Sequence, residues 1–215
     1  MTRNQAKFFI RKGRTSVDGK IVTDPDFELS QTSEVCYDGK PINICQFKYI
    51  MLNKPISYSC ASNDDKYPSV LNLLPDELRK YNFQFVNILE PNYSGLVLVS
   101  DDIRWSSRIY KKVQMKKFIY EVSFNECFDE HIVEQIEEAY LSSSNRVDDE
   151  KIEIEKNSEN SFILKISINQ LHEMIRVFSN INLEIKNLKL NQIGRLCLSD
   201  LEEGEYIELS EKISI

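Results

Sequence analysis

Histidine is scarce and paired cysteine is missing. Only His131 and His172 occur, and the five cysteines at positions 36, 45, 60, 127 and 197 form no Cys-x-x-Cys pair. A histidine-based or zinc-ribbon site is therefore set aside, and no metal is expected. An odd number of unpatterned thiols predicts reduced cysteines in a cytosol-like compartment, so the expected location is cytoplasmic. No run of 18 apolar residues is present, which excludes a membrane-spanning helix from the expectation. The opening residues Met1-Thr2-Arg3-Asn4-Gln5 lack the apolar stretch of a secretory signal. No repeat or low-complexity tract is visible. What is there is ordinary: 215 residues, 41% hydrophobic and 28% charged, enough to bury a real core in one large domain or in a small and a medium one.

The net charge of −7 argues against a nucleic-acid partner when taken alone. The average conceals a segregation. Residues 1–20 hold six bases (Arg3, Lys7, Arg11, Lys12, Arg14, Lys20) against the single acid Asp18, and the remaining 195 residues hold 21 bases against 33 acids. Inside that acidic remainder lies a second basic island. From Ile103 to Tyr120 there are Arg104, Arg108, Lys111, Lys112, Lys116 and Lys117 and no acid; from Glu121 to Glu138 there are seven acids and no Lys or Arg. Two such islands fit a polyanion-binding face. A charge run by itself reads more simply as a solvated helix face, so a second witness is needed.

Periodicity predicts an α+β protein with a largely antiparallel mixed sheet. Ala6–Lys12 reads as a short amphipathic helix closed by Gly13, and Asp18-Gly19 as a tight turn between Thr15–Val17 and Lys20–Val22. Asp38-Gly39-Lys40-Pro41 is a second turn, and a linker is placed at 42–47. Tyr49–Leu52 reads as a buried strand stopped by Asn53-Lys54-Pro55, Val70–Pro75 as a short helix or turn, and Phe83–Leu89 and Gly95–Val99 as β-like. Ser100 is placed to cap a helix bearing the second island, with Asp101 and Asp102 in its first turn. Phe118–Phe124 alternates as a half-buried strand, and Asp129–Tyr140 has helical spacing. Lys151–Glu155 and Phe162–Ile166 form a hairpin, Gln170–Phe178 a helix, and several short strands finish the chain. The domain division expected is 1–44 and 48–215.

The first segment, Thr2-Arg3-Asn4-Gln5-Ala6-Lys7-Phe8-Phe9-Ile10-Arg11-Lys12-Gly13-Arg14-Thr15-Ser16-Val17-Asp18-Gly19, resembles the S4 RNA-binding domain, whose core pattern is Ser-Arg-Arg, a helix ending Ile-Arg-x-Gly-Arg, then Val-x-Val-Asn-Gly. Glu34-Val35 and Tyr37–Pro41 look like its closing strand. The resemblance implies RNA-phosphate contact by Arg3, Arg11, Lys12 and Arg14. An S4 domain usually has a helix before this pattern, and a start at Thr2 leaves no room for it.

A second resemblance covers nearly all of 48–212. Met51-Leu52-Asn53-Lys54-Pro55, Ser94-Gly95-Leu96-Val97-Leu98-Val99-Ser100-Asp101-Asp102, Tyr120-Glu121-Val122, and Ile193–Leu201 continuing through Gly204-Glu205-Tyr206 to Glu208-Leu209 are similar, in order, to the motifs of ribosomal small-subunit pseudouridine synthases. The resemblance implies isomerisation of a uridine to its C-glycoside with no cofactor. An aspartate in Gly-Arg-Leu-Asp acts while the uracil detaches, rotates and reattaches through carbon; a tyrosine lies against the base, and a basic residue pairs with the aspartate. The uridine must be flipped out of its stack.

At the decisive stretch this chain reads Asn87-Ile88-Leu89-Glu90, with Glu90 at the aspartate position and Ile88 at the arginine position. One extra methylene moves the carboxylate by roughly 1–1.5 Å, and a displacement near 1 Å can cost about 10²-fold in rate. The Arg-Gln-Val-Arg-Arg-Met-Phe loop of the family is thinned to His172-Glu173-Met174-Ile175-Arg176-Val177-Phe178. The catalytic candidates are Glu90, Tyr120 and Arg176; the RNA-binding candidates add Lys54, Arg104, Arg108, Lys111 and Lys112. Each has a plainer alternative: Tyr120 as core, Lys54 as the brace of a strand end, Arg176 as a surface residue, Trp105 as packing instead of base stacking, His172 as a surface histidine. Three functions stay open. The first is an RNA-binding protein, on ribosomal RNA and monomeric, with impaired or lost catalysis. The second is an active pseudouridine synthase using Glu90. The third is a protein-interaction subunit without RNA contact.

Overall fold

Two Asp-Gly turns organise the N-terminal residues. Asp18 and Gly19 (φ 50° and 77°) and Asp38 and Gly39 (φ 49° and 75°) both adopt left-handed backbone, the requirement of a two-residue hairpin turn whose twist matches its strands. The computed structural model describes residues 2–30, 32–42, 47–128, 131–143, 152–210, 213 and 215. The chain divides into two compact units, 1–46 and 47–215.

In the first unit, helix α1 (Arg3–Arg11) precedes strands β1 (Thr15–Val17), β2 (Lys20–Val22), β3 (Val35–Tyr37) and β4 (Lys40–Ile42), in sheet order β2-β1-β3-β4. The helix starts earlier than its apolar spacing suggests, because Thr2 and Gln5 form a reciprocal capping box. No residue of α1 is buried, and Val17 is the only buried apolar side chain described in this unit. Phe9 packs edge-on against Phe8 and Tyr37, each at 5.6 Å between centroids.

The larger unit contains β5 (Tyr49–Lys54), a 3₁₀ turn at Val70–Leu73, α2 (Asp76–Arg79), β6 (Gln84–Phe85), β7 (Ser94–Ser100), α3 (Ile103–Val113) and β8 (Lys117–Phe124). It continues with α4 (Ile132–Ser143), β9 (Glu153–Ser158), β10 (Ser161–Ser167), α5 (Leu171–Asn180), β11 (Ile185–Ile193), β12 (Leu196–Cys197) and β13 (Tyr206–Glu208). Seven strands run β13-β5-β7-β11-β8-β10-β9, with β6 on β7 and β12 on β11. Every pairing is antiparallel except β7 with β11. The expected α+β class, with an antiparallel-dominated sheet, is what the chain adopts.

Every residue of β5 and β7 is buried, and each carries a central apolar run, Tyr49–Leu52 and Leu96–Val99, with buried polar residues Asn53, Lys54, Ser94 and Ser100 at the ends, whereas β8 buries only Phe118, Tyr120, Val122 and Phe124. The parallel contact depends on Gly95 (φ 117°). A Cβ there would lie 2.3 Å from the Leu190 carbonyl oxygen, inside any permitted contact. Register then draws a row across five strands: Lys54, Gly95, Leu190, Tyr120 and Leu164. Helix α3 covers the core with Trp105, Ile109 and Val113, and Phe178 of α5 meets Phe124 at 5.1 Å.

Several expectations are corrected. The cap of α3 is Asp102, whose carboxylate accepts from the Arg104 and Trp105 amides, while Ser100 ends β7 and accepts from the Asp102 amide. Asn53 and Lys54 continue β5 instead of stopping it. The strand at 83–89 shrinks to two residues, because the Asn87 side chain takes over the pairing with β7. The chain closes on the nine-residue β11 as well as short strands. The expected linker at 42–47 is Ile42 within β4, Phe47, and residues 43–46, which lie outside the described residues, as do 129–130 and Lys151.

Candidate active site

Glu90 sits in a loop fastened on three sides. Asn87, buried, donates from Nδ2 to the Leu96 carbonyl (2.8 Å) and accepts the Leu98 amide on Oδ1 (2.9 Å), so its side chain pairs with β7 as a strand would. The Leu89 amide donates to Cys60 Sγ at 3.5 Å, and the Ser57 amide to the Pro91 carbonyl at 2.7 Å. The loop closes with the Tyr93 amide donating to the Glu90 carbonyl at 3.0 Å, a β-turn with Pro91 in the second position, where its fixed φ is pre-set for the bend. Ile88 and Glu90 both project outward, Ile88 at 71% exposure.

The turn brings Tyr93 back beside Glu90. Burial, and then the nearby Glu90 charge, raise the Tyr93 phenol above its ordinary value. Tyr120 is buried on β8, and burial foremost, followed by Tyr93, pushes its phenol far above the usual range. Both hydroxyls are therefore held protonated at neutral pH. Exposure falls from Glu90, at the surface, through the half-buried Tyr93 to the buried Tyr120. Sequence reasoning missed Tyr93. Its signal was the Glu90-Pro91-Asn92-Tyr93 turn, which places residues three apart side by side.

Lys54 differs from its expected role on RNA. The side chain is 0% exposed, and Nζ donates to the Pro55 carbonyl (3.0 Å) and the Tyr58 carbonyl (2.8 Å). Burial lowers its pKa, opposed by Cys60 and Glu203; the Cys60 thiol is raised by burial. Lys54 thus braces residues 55–60, which in turn hold the Glu90 loop through Ser57 and Cys60. A charge committed to two carbonyls in the interior is not presented to phosphate.

Arg176 is exposed on α5, opposite the buried stripe of Met174, Val177 and Phe178, and among the described residues no ion pair joins it to Glu90. Arg3, Arg11 and Lys12 are exposed in the first unit. Arg14 is engaged internally: its guanidinium lies 4.8 Å from both the Phe9 and Tyr37 ring centroids and pairs with Asp38 through two nitrogens. On α3, Arg104, Arg108, Lys111 and Lys112 are all exposed and none forms an ion pair among the described residues. Trp105 is 1% exposed and packs on Tyr49 at 4.8 Å, so base stacking by this residue is replaced by core packing. His172 is exposed, and no cluster of metal-binding side chains occurs among the described residues.

No family model matches the chain. Individual relatives do. It is 30% identical over 214 residues to ribosomal small subunit pseudouridine synthase A of Vibrio parahaemolyticus, covering 98% of this chain and 91% of the relative. It is 31% identical over 205 residues to the protein of that name from Escherichia coli strain K12, covering 94% and 88%. The chain belongs to the ribosomal small-subunit pseudouridine synthase family. A solved pseudouridylate synthase is similar over 98% of this chain and 91% of its own, at 26% identity and a TM-score of 0.62. No helix among the described residues is long and apolar enough to cross a membrane.

Proposed function

We propose that this member of the pseudouridine synthase family binds RNA, ribosomal RNA by analogy with its relatives, and that its isomerase chemistry is impaired or lost. The observation that carries this reading is the setting of Glu90. The longer carboxylate stands at the surface with no ion-pair partner among the described residues, beside an Ile88 that is 71% exposed where the resembled motif has arginine. A carboxylate meant to act on a flipped nucleotide needs a fixed position and a positive neighbour, and neither side chain supplies one. RNA binding is supported by the exposed, unpaired cations of α3 and by Arg3, Arg11 and Lys12 on an S4-like module. The same cations weigh against a purely protein-binding role.

A second reading, an active synthase with Glu90 as the carboxylate, is favoured by the Glu90–Tyr93–Tyr120 sequence of groups, which links the acid to the buried tyrosine. The deciding experiment incubates the protein with ribosomal RNA lacking the modification and maps pseudouridine. The expected result is little or no product from the native protein, and an increase of about 10²-fold from the Ile88→Arg/Glu90→Asp double variant. Full conversion of one uridine by the native protein, abolished by Glu90→Gln, establishes the second reading instead.

A further inference from the structure

Helix α3 is acid-free and strongly two-faced, and its exposed face is not uniform. At about 100° per residue, its buried residues Trp105, Ser106, Ile109 and Val113 share one side. Arg104, Arg108 and Lys111 fall within about 60° of one another on the opposite side. They form a stripe about 10 Å long, with steps of ~6 Å and ~4.5 Å along the axis. Lys112 borders the stripe on one flank. On the other flank lie Ile103 at 66% exposure, Ser107 and Tyr110 at 51% exposure. Tyr110 takes part in no ring contact among the described residues.

Resting on the RNA-binding reading above, we infer that α3 is a docking strip for a single-stranded RNA segment, with consecutive phosphates along Arg104, Arg108 and Lys111 and a base laid on Tyr110. A row of cations flanked by an exposed aromatic is the arrangement that tracks a lone strand, because only unstacked bases offer a free π-face. A duplex keeps its bases stacked on each other and leaves Tyr110 and Ile103 without a counterpart. The stripe is narrow enough to follow one backbone.

The test uses the full-length protein, an oligouridylate as the single-stranded probe and a self-complementary RNA of equal length as the duplex probe, across 50–300 mM salt. The expected result is tighter binding of the oligouridylate. For the Arg104→Gln/Arg108→Gln/Lys111→Gln variant, the slope of log affinity against log salt should become shallower by about 2, at ~0.7 per lost phosphate contact. Tyr110→Ala should weaken binding by about five-fold or more at an unchanged slope, while Tyr110→Phe binds as the native protein does. Native binding of RNA with no change in the triple variant overturns the α3 inference and leaves the broader reading standing. Preference for the duplex, or indifference to Tyr110→Ala, overturns the single-strand assignment. Absence of binding by the native protein overturns both. All substitutions lie on the solvent side of α3, and unchanged thermal unfolding confirms that the buried face is intact.

Discussion

At the strand end beneath the carboxylate loop, the Lys54 ammonium donates to two carbonyls and is shielded from water. Lys54→Met keeps the bulk and strips both acceptors of their donor, so it should destabilise the protein by about 1–3 kcal/mol in denaturant unfolding. The sign of its pH dependence follows from its lowered pKa. Between that depressed value and the unfolded lysine value of about 10.4, the unfolded chain binds more protons than the folded one, so stability rises as pH climbs through this window. Below it the penalty of holding a buried charge is fully present and constant. Unfolding free energies measured from neutral to alkaline pH should show the rise in the native protein and its absence in Lys54→Met. The residue-level site was only partly legible. The motifs singled out Glu90 and Tyr120 as candidates and offered Lys54 as the brace of a strand end, but the carbonyls that its ammonium meets could not be named, because nothing in a Lys-Pro dipeptide says how the next loop will fold back. Tyr93 was hidden for the converse reason, since its importance comes from a turn and not from a motif.

Among the elements, the strands declared themselves best where burial is one-sided or total. The alternation in β8 and the apolar runs of β5 and β7 follow directly from which faces are covered. The overlong strand expected at 83–89 failed because one asparagine side chain imitates backbone pairing, which no periodicity can reveal. Helix α3 began two residues later than its first capping candidate, since both serine and aspartate satisfy the preference and only geometry chooses between them. Asp102→Ala should remove about 1 kcal/mol of stability in denaturant unfolding, with the loss exceeding that of Ser107→Ala, which lies inside the helix. Gly95→Ala is expected to be far harsher. Its new methyl would meet the Leu190 backbone, and a destabilisation of about 3 kcal/mol or more should appear as a lowered denaturation midpoint or as loss of soluble protein.

Over the whole molecule, the order of the sheet was the least readable feature. Strands β7 and β11 pair in parallel across about ninety positions of sequence, and local pattern carries no information about such a partner. The two units also differ in how much they bury. The larger has a continuous core, whereas the smaller has Val17 as its only described buried apolar side chain. Backbone amides of α1 and β1–β4 should therefore exchange with solvent deuterium much faster than those of β7, β8 and β11. Adding an RNA that engages the module should slow the first group and leave the second unchanged; uniform exchange across both units would contradict this.

The anchoring of the 87–93 loop has one more implication. Its ties among the described residues run through the Asn87 amide group, the backbone at Leu89 and Pro91, and the turn to Tyr93, and none of them uses the Ile88 or the Glu90 side chain. Those two positions can be exchanged without refolding anything around them. Side chains of other length or charge at 88 and 90 should therefore leave the unfolding free energy within about 0.5 kcal/mol of the native value, which makes the loop a socket whose two outward groups are interchangeable.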